Sequence, residues 1–415
     1  MQGRFKGAAI CWSRFHIKER IVLKSRHLYE IDLMRACMIL GVIFVHVVSA
    51  IDAVSTPLSV ANIGLDMVLM PLHFTREAFM FITGLVLFYT YYHKPFSTTS
   101  FWSKRFKLIA IPYVFWTALY IAFIGVISGP GYDWAPVNLL HVFIRAILTG
   151  NQYFLYFLVI SIQFYFVFPL LLMMMRKLER WHGWVLLVSF LVQLGLMGIV
   201  QWVVPVLPTD TYPVWLRTII HYEDRFVLSY QFWFIAGAVF AVHYERIRTW
   251  VLSHRSTVWW SMAAGVAGLW CYYAIARFIF HESDAAVVNV LQPVMVPYAF
   301  LVSVTLMVIG VSWARVREER SMRFVSPLVR FFGGASFGIF LVHPIMLRFV
   351  DQAVGLLHVN GIDRIPLIPL MAVVTYCASG VVAYCFGKVP LFSYVVGIKT
   401  RLPKLNRPDK VSTPA

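Results

Sequence analysis

A stretch that is long and apolar enough to cross a bilayer, yet carries ionisable side chains, constrains this chain more than any other feature. Residues 30 to 52 read Glu-Ile-Asp-Leu-Met-Arg-Ala-Cys-Met-Ile-Leu-Gly-Val-Ile-Phe-Val-His-Val-Val-Ser-Ala-Ile-Asp, the length of a membrane span. Asp32 and Arg35 stand near one end and His46 lies deep inside, where each ionisable group costs free energy that a passive anchor would avoid. Arg35 and His46 are eleven residues apart. At about 100° per residue they return to nearly the same azimuth of a helix, roughly 16 Å apart along its axis. Asp32, three residues before Arg35, can pair with it on that face. The bland alternative is an arginine that snorkels to lipid headgroups and a histidine bonded to a neighbouring helix. His46 is too deep to snorkel.

The remainder of the chain agrees with a membrane setting. Of its 415 residues 60% are hydrophobic and 13% charged, with a mean hydropathy of +0.73, far from a soluble globular balance. The reading is an all-α polytopic membrane protein with about ten transmembrane helices. They are expected near 31 to 53, 68 to 92, 108 to 129, 153 to 175, 184 to 206, 226 to 243, 257 to 280, 289 to 312, 330 to 349 and 365 to 387. With the N-terminus inside, 28 of the 36 Lys and Arg fall on the inner side and five on the outer. That asymmetry predicts both termini cytoplasmic. The domain reading is a basic cytoplasmic segment at 1 to 30, a transmembrane domain at 31 to 398 and a basic cytoplasmic tail at 399 to 415. Phe5, Ile10, Trp12, Phe15 and Ile17 among the first cations fit an interfacial helix or a disordered tail.

The net charge of +17 faces anionic membrane lipid, so nucleic acid is not an expected partner. No cleavable signal peptide is expected, because the first 30 residues have no uninterrupted apolar core. Five cysteines in or beside apolar runs imply no disulfide framework. No metal-ligand spacing and no Gly-rich phosphate loop is present. Gly334-Ala335-Ser336-Phe337-Gly338 spells Gly-x-Ser-x-Gly, but a nucleophile elbow needs a strand, a turn and a helix, whereas this run begins a membrane span.

After the first span, Asp66, His73 and Glu77 share one helical stripe with Gly84, and Arg76 adjoins it. Residues 62 to 76 also fit a headgroup-zone loop, which is the expectation for Asp66. For Arg76 and Glu77, followed at once by Ala-Phe-Met-Phe-Ile, both readings stand. Further on, Lys104-Arg105-Phe106-Lys107 sets three cations just inside the membrane, where they suit donor phosphates and equally satisfy the positive-inside rule.

These residues carry a resemblance. Arg35-x10-His46 resembles the Arg-x10-His motif of the integral-membrane acyltransferases called acyltransferase family 3. Phe79-Met80-Phe81-Ile82-Thr83-Gly84-Leu85 is similar to the family's Phe-Phe-x-x-Ser-Gly-Phe, with Thr83 and Leu85 as departures. The run from Lys104 to Lys107 stands where the family has Arg-x-x-Arg. Tyr153-Phe154-Leu155-Tyr156-Phe157-Leu158 is similar to Tyr-His-Leu-Trp-Phe-Leu, with Phe154 and Tyr156 replacing His and Trp. A site role of that family histidine therefore has no counterpart at this position. Phe232 to Gly237 resembles the sixth span. Ala335-Ser336-Phe337-Gly338-Ile339-Phe340-Leu341-Val342-His343-Pro344 is similar to the Ser-Tyr-x-x-Tyr-Leu-x-His segment. Within the family, Gly150-Asn151-Gln152-Tyr153, Tyr244-Glu245-Arg246 and Leu341-Val342-His343-Pro344 look most like the branch found in the intercellular-adhesion (poly-N-acetylglucosamine) locus, which has been described both as an exporter and as an O-acyltransferase.

Residues and resemblance together lead to one principal expectation. It is a membrane-bound O-acyltransferase that moves acetyl or succinyl from cytoplasmic acyl-CoA to a hydroxyl of a cell-surface polysaccharide, in a bacterial plasma membrane. His46 is the expected general base or transient acyl carrier, and Arg35 steadies the donor or an oxyanion. Lys104, Arg105 and Lys107 bind donor phosphates, and Arg76, Glu77, His343 and Ser336 belong to substrate binding. Acyl-CoA is a substrate, so no bound cofactor is expected. Lipid, the surface glycan and a polysaccharide synthase are the expected partners. The alternatives are a polysaccharide exporter lined by the same polar stripe, and a scaffold for a synthase, which would leave Arg35 and His46 without a task.

Overall fold

The computed structural model describes residues 27–208 and 211–397. Most of the basic N-terminal segment, including the Phe5 to Ile17 run, and the tail from 399 to 415 lie outside them. In lipid every backbone N–H and C=O must find its partner inside the protein, so apolar runs become helices. The described residues are helices and turns throughout. In chain order the helices are α1 (Tyr29–Asp52), α2 (Val60–Leu72), α3 (Thr75–Tyr91), α4 (Thr98–Ser128), α5 (Pro136–Thr149), α6 (Tyr156–Lys177) and α7 (His182–Gly198). They continue with α8 (Val214–His221), α9 (Gln231–Val242), α10 (Tyr244–Ser253), α11 (Arg255–Ala274), α12 (Met295–Val316), α13 (Val325–Leu356) and α14 (Ile368–Lys388).

Among the described residues eight helices are long and apolar enough to cross a membrane, nine if the bent pair Val227–Val242 and Tyr244–Ser253 counts as one span. That pair, expected as the sixth span, turns by 95° at its break. The segment expected at 68 to 92 differs most. It is broken at His73 and Phe74 into the end of α2 and the whole of α3.

Pro71 lies within α2 just before the break, and prolines recur inside other helices. An intrahelical proline has no N–H for the carbonyl four residues earlier, which is left open to another donor. Pro71 frees the carbonyl of Met67, and the Trp270 indole N–H donates to it at 2.9 Å. Pro169 frees that of Tyr165, which accepts from the Trp102 indole at 2.9 Å. Pro344 frees that of Phe340, which accepts from His343 Nδ1 at 2.7 Å.

Helix α1 is the hub, packing on α2, α3, α12, α13 and α14. The most extensively packed pair is α3 with α9. A Cβ at Gly84 would lie 2.2 Å from the Phe234 carbonyl oxygen, and one at Gly237 would lie 2.0 Å from that of Phe81. Glycine at both crossing points is what lets the two backbones touch. One apolar cluster gathers around Phe81, Phe88, Phe164, Phe168 and Phe234. A second surrounds the far half of α1 with Ile43, Trp116, Tyr120, Ile339 and Ala372.

Contacts between turns define the two ends of the bundle. At one, the basic end, the Arg176 guanidinium donates to the carbonyls of Tyr91, Tyr92 and Lys94 at 2.7 to 2.9 Å, and Arg317 lies 4.0 Å over the Tyr29 ring. At the other, Asn62 donates to Asp52 at 2.9 Å, Arg225 to the carbonyl of Thr149, and Arg364 pairs with Asp351.

Candidate active site

Helix α1 brings its two principal polar residues to different surroundings, as their separation along the axis requires. Arg35 lines a cavity of about 1240 Å³ at the basic end. Its walls come from the start of α1 (His27, Leu28, Ile31, Asp32), the end of α3 and the turn after it (Tyr89, Tyr92, His93, Lys94), Arg176 of α6, and the bend between α9 and α10 (His243, Tyr244, Glu245, Arg246). Four permanent cations, Arg35, Lys94, Arg176 and Arg246, thus share one opening with Asp32, Glu179 and Glu245. The 95° bend turns α10 aside, so that residues on both sides of it face the cavity.

The expected Asp32 to Arg35 pair is not formed. The Asp32 carboxylate instead meets His27 Nε2 at 2.6 Å. His27 precedes the helix and bends back over its first turn, a contact that spacing within a helix does not reveal. The His182 and His243 rings meet at 3.0 Å beside the cavity, with His182 Nε2 directed at the Met175 carbonyl at 2.9 Å.

The cation run of α4 stands outside this cavity wall. Lys104 and Lys107 are exposed and Arg105 is half-buried, its guanidinium 5.8 to 6.0 Å from the rings of Tyr165, Tyr91 and Phe101. Those rings hold Arg105 by cation–π contact.

His46 belongs to a second constellation deeper in the bundle. Its ring stacks on Phe154 with centroids 3.5 Å apart and planes at 15°. His343 lies parallel to both, 5.4 Å from His46 and 5.4 Å from Phe154. His46 is half-buried, whereas His343 is fully buried with Nε2 unpartnered. Ser336 is buried two turns earlier on the same helix, α13. Two histidines 297 positions apart in the chain are thus brought together with near-parallel rings, with Phe154 at the position where the resemblance has a histidine.

Arg76 and Glu77 form a third group on α3. The Arg76 guanidinium lies 5.3 Å over the Tyr156 ring, close to the Tyr230 hydroxyl, which donates to the Asp224 carbonyl at 3.0 Å. Glu77 is fully buried, and neither carboxylate oxygen has a side-chain partner. His73 sits at the break before α3 with Nδ1 buried and unpartnered. Asp66, expected in a loop, is instead buried on α2 and accepts from the Tyr273 hydroxyl at 2.9 Å.

A multi-helix membrane bundle with a cation-lined cavity at one end and a pair of imidazoles further in, one of them fully buried, defines a polytopic membrane protein with a polar interior. The acyltransferase domain model matches residues 28–384, which include every site residue named above except His27. The chain belongs to that family, acyltransferase family 3, and is an acyltransferase. No curated protein and no solved structure matches the chain, so the likeness to the branch of the intercellular-adhesion locus rests on the sequence runs alone. Sequence reasoning missed Lys94, Arg176 and Arg246 as cavity residues. Arg246 stood in a run quoted for its resemblance, and the other two looked like ordinary loop cations.

Proposed function

We propose that this acyltransferase is an O-acyltransferase that carries acetyl or succinyl from cytoplasmic acyl-CoA to a hydroxyl of a cell-surface polysaccharide. The observation that carries the reading is the pairing of the Arg35 cavity with the His46 group on one continuous helix. Coenzyme A has a polyanionic nucleotide end and a long, nearly uncharged arm that ends in the thioester. The nucleotide end suits Arg35, Lys94, Arg176 and Arg246, since charge-assisted contacts to phosphate are the strong ones. The arm can follow α1 inward over the roughly 16 Å that separate Arg35 from His46.

At that depth the thioester would meet the two imidazoles, the side chains best suited to proton transfer near neutrality. The charge asymmetry of the loops supports a cytoplasmic basic end, with the acceptor hydroxyl entering from the other. The reading extends to a bacterial plasma membrane and to a polysaccharide synthase as neighbour.

The test is transfer of label from acetyl-CoA to glycan in membranes from cells with the wild-type or His46→Ala protein, at matched protein levels. We expect His46→Ala to abolish transfer while the protein still accumulates in the membrane. Wild-type surface O-acylation in that variant sinks the proposal. Polymer of unaltered acylation accumulating inside the cell would instead favour the exporter.

A further inference from the structure

Of the three proline-freed carbonyls that a side chain caps, two are taken by indoles and one, that of Phe340, by an imidazole. An indole has one N–H and nothing further to offer. An imidazole has a second nitrogen whose state is set by the first. Pro344 cannot donate to the Phe340 carbonyl, and His343 Nδ1 approaches that oxygen at 2.7 Å. A carbonyl oxygen only accepts, so Nδ1 carries the hydrogen, and in the neutral ring Nε2 is then a bare lone pair. That lone pair is fully buried and unpartnered, an arrangement that costs free energy unless some donor arrives. It lies in a ring stacked parallel to His46 at 5.4 Å.

We infer that His343 Nε2 is the proton acceptor for the attacking hydroxyl, and that Pro344 is the positioning residue that fixes the tautomer this requires. The inference rests on the O-acyl transfer reading and deepens it. An imidazole with Nδ1–H held by an oxygen and Nε2 free has the arrangement of an oriented general base, with the Phe340 carbonyl as the orienting group.

The step balances without a further reactant. The hydroxyl oxygen bonds to the thioester carbonyl carbon as its proton passes to Nε2. The C–S bond then breaks, and the leaving thiolate takes that proton back, giving ester and free thiol. His343 ends as it began. In this direct transfer His46, half-buried beside it, carries no acyl group and is assigned stabilisation of the developing oxyanion.

The test compares His343→Asn and Pro344→Ala with wild type, using labelled acetyl-CoA and isolated membranes. Asn keeps an N–H near the position of Nδ1, so the bond to Phe340 can persist, but it has no base at Nε2. General-base removal lowers transfer about 10²-fold or more, and we expect that loss with labelled acetyl-CoA still bound as in wild type. Pro344→Ala returns a backbone N–H to the Phe340 carbonyl. Solid-state NMR of 15N-histidine-labelled protein in bilayers should show the bare ring nitrogen of His343 at Nε2 in wild type, and a mixture of tautomers in Pro344→Ala.

Transfer by His343→Asn within about threefold of wild type, well below a general-base effect, would overturn the inference while leaving O-acyl transfer intact. A protonated Nε2 in the neutral wild-type ring would overturn it independently. If wild-type membranes move no label to glycan, the function proposed above fails and this proton-acceptor role falls with it.

Discussion

Single residues at the basic end separate the two sets of cations open to a donor. Arg176 has its guanidinium committed to three backbone carbonyls, which fixes a positive charge in the cavity wall. Arg246 is exposed at the cavity rim and can turn toward a phosphate. Losing one charge-assisted hydrogen bond costs about 1.5 to 3 kcal/mol, so Arg246→Gln should raise KM for acetyl-CoA about tenfold or more with kcat little changed. Neutralising Lys104, Arg105 and Lys107 together is the companion measurement. A larger KM effect from that triple variant than from Arg246→Gln would move the phosphate site to α4. Arg35→Lys keeps the charge but loses the planar fork, so a bidentate role predicts impaired transfer, whereas a snorkelling arginine predicts near-normal transfer.

Helices are held in place by features visible only when both partners are known. Gly84 and Gly237 each occupy a point where the other helix's backbone leaves no room for a methyl group. Gly84→Ala would force α3 and α9 apart. We expect a loss on the order of 3 kcal/mol or more, the upper range for overpacking, read as a lower unfolding temperature in detergent. An exposed glycine such as Gly64, with open space around it, is the control, and Gly64→Ala should be neutral or slightly stabilising by helix propensity. Equal stability of the two variants would contradict the close crossing. The sequence marked Gly84 through the Phe79 to Leu85 resemblance, but nothing in the chain names Phe234 as the backbone it meets.

At the scale of the whole molecule, helix α1 links a cation-lined opening at one end to the neighbouring imidazoles of His46 and His343 within. Its orientation in the bilayer is an expectation from the charge asymmetry of the loops, since lipid-facing surfaces look alike from either side. Cysteine introduced at Asn360, in a chain lacking the five native cysteines, should react with an impermeant maleimide in whole cells. Cysteine at Lys104 should be protected until the cells are opened. The reverse pattern would place the cavity outside and remove cytoplasmic acyl-CoA as its ligand.

Sequence by itself determined the helical class, the membrane setting, the family resemblance and the shared face of Arg35 and His46. All of these depend on local periodicity and on the cost of polar groups in lipid. Nine of the ten expected spans correspond to membrane-length helices once the bent pair is counted, and the tenth is divided at His73 and Phe74. Tertiary structure alone decided that Asp32 goes to His27, that Arg105 lies among aromatic rings, and that Lys94, Arg176 and Arg246 join Arg35 around one cavity. It also decided that His46, Phe154 and His343 stack together. Contacts between residues hundreds of positions apart depend on how helices cross, and a one-dimensional pattern specifies a helix's own face but not the neighbour that covers it.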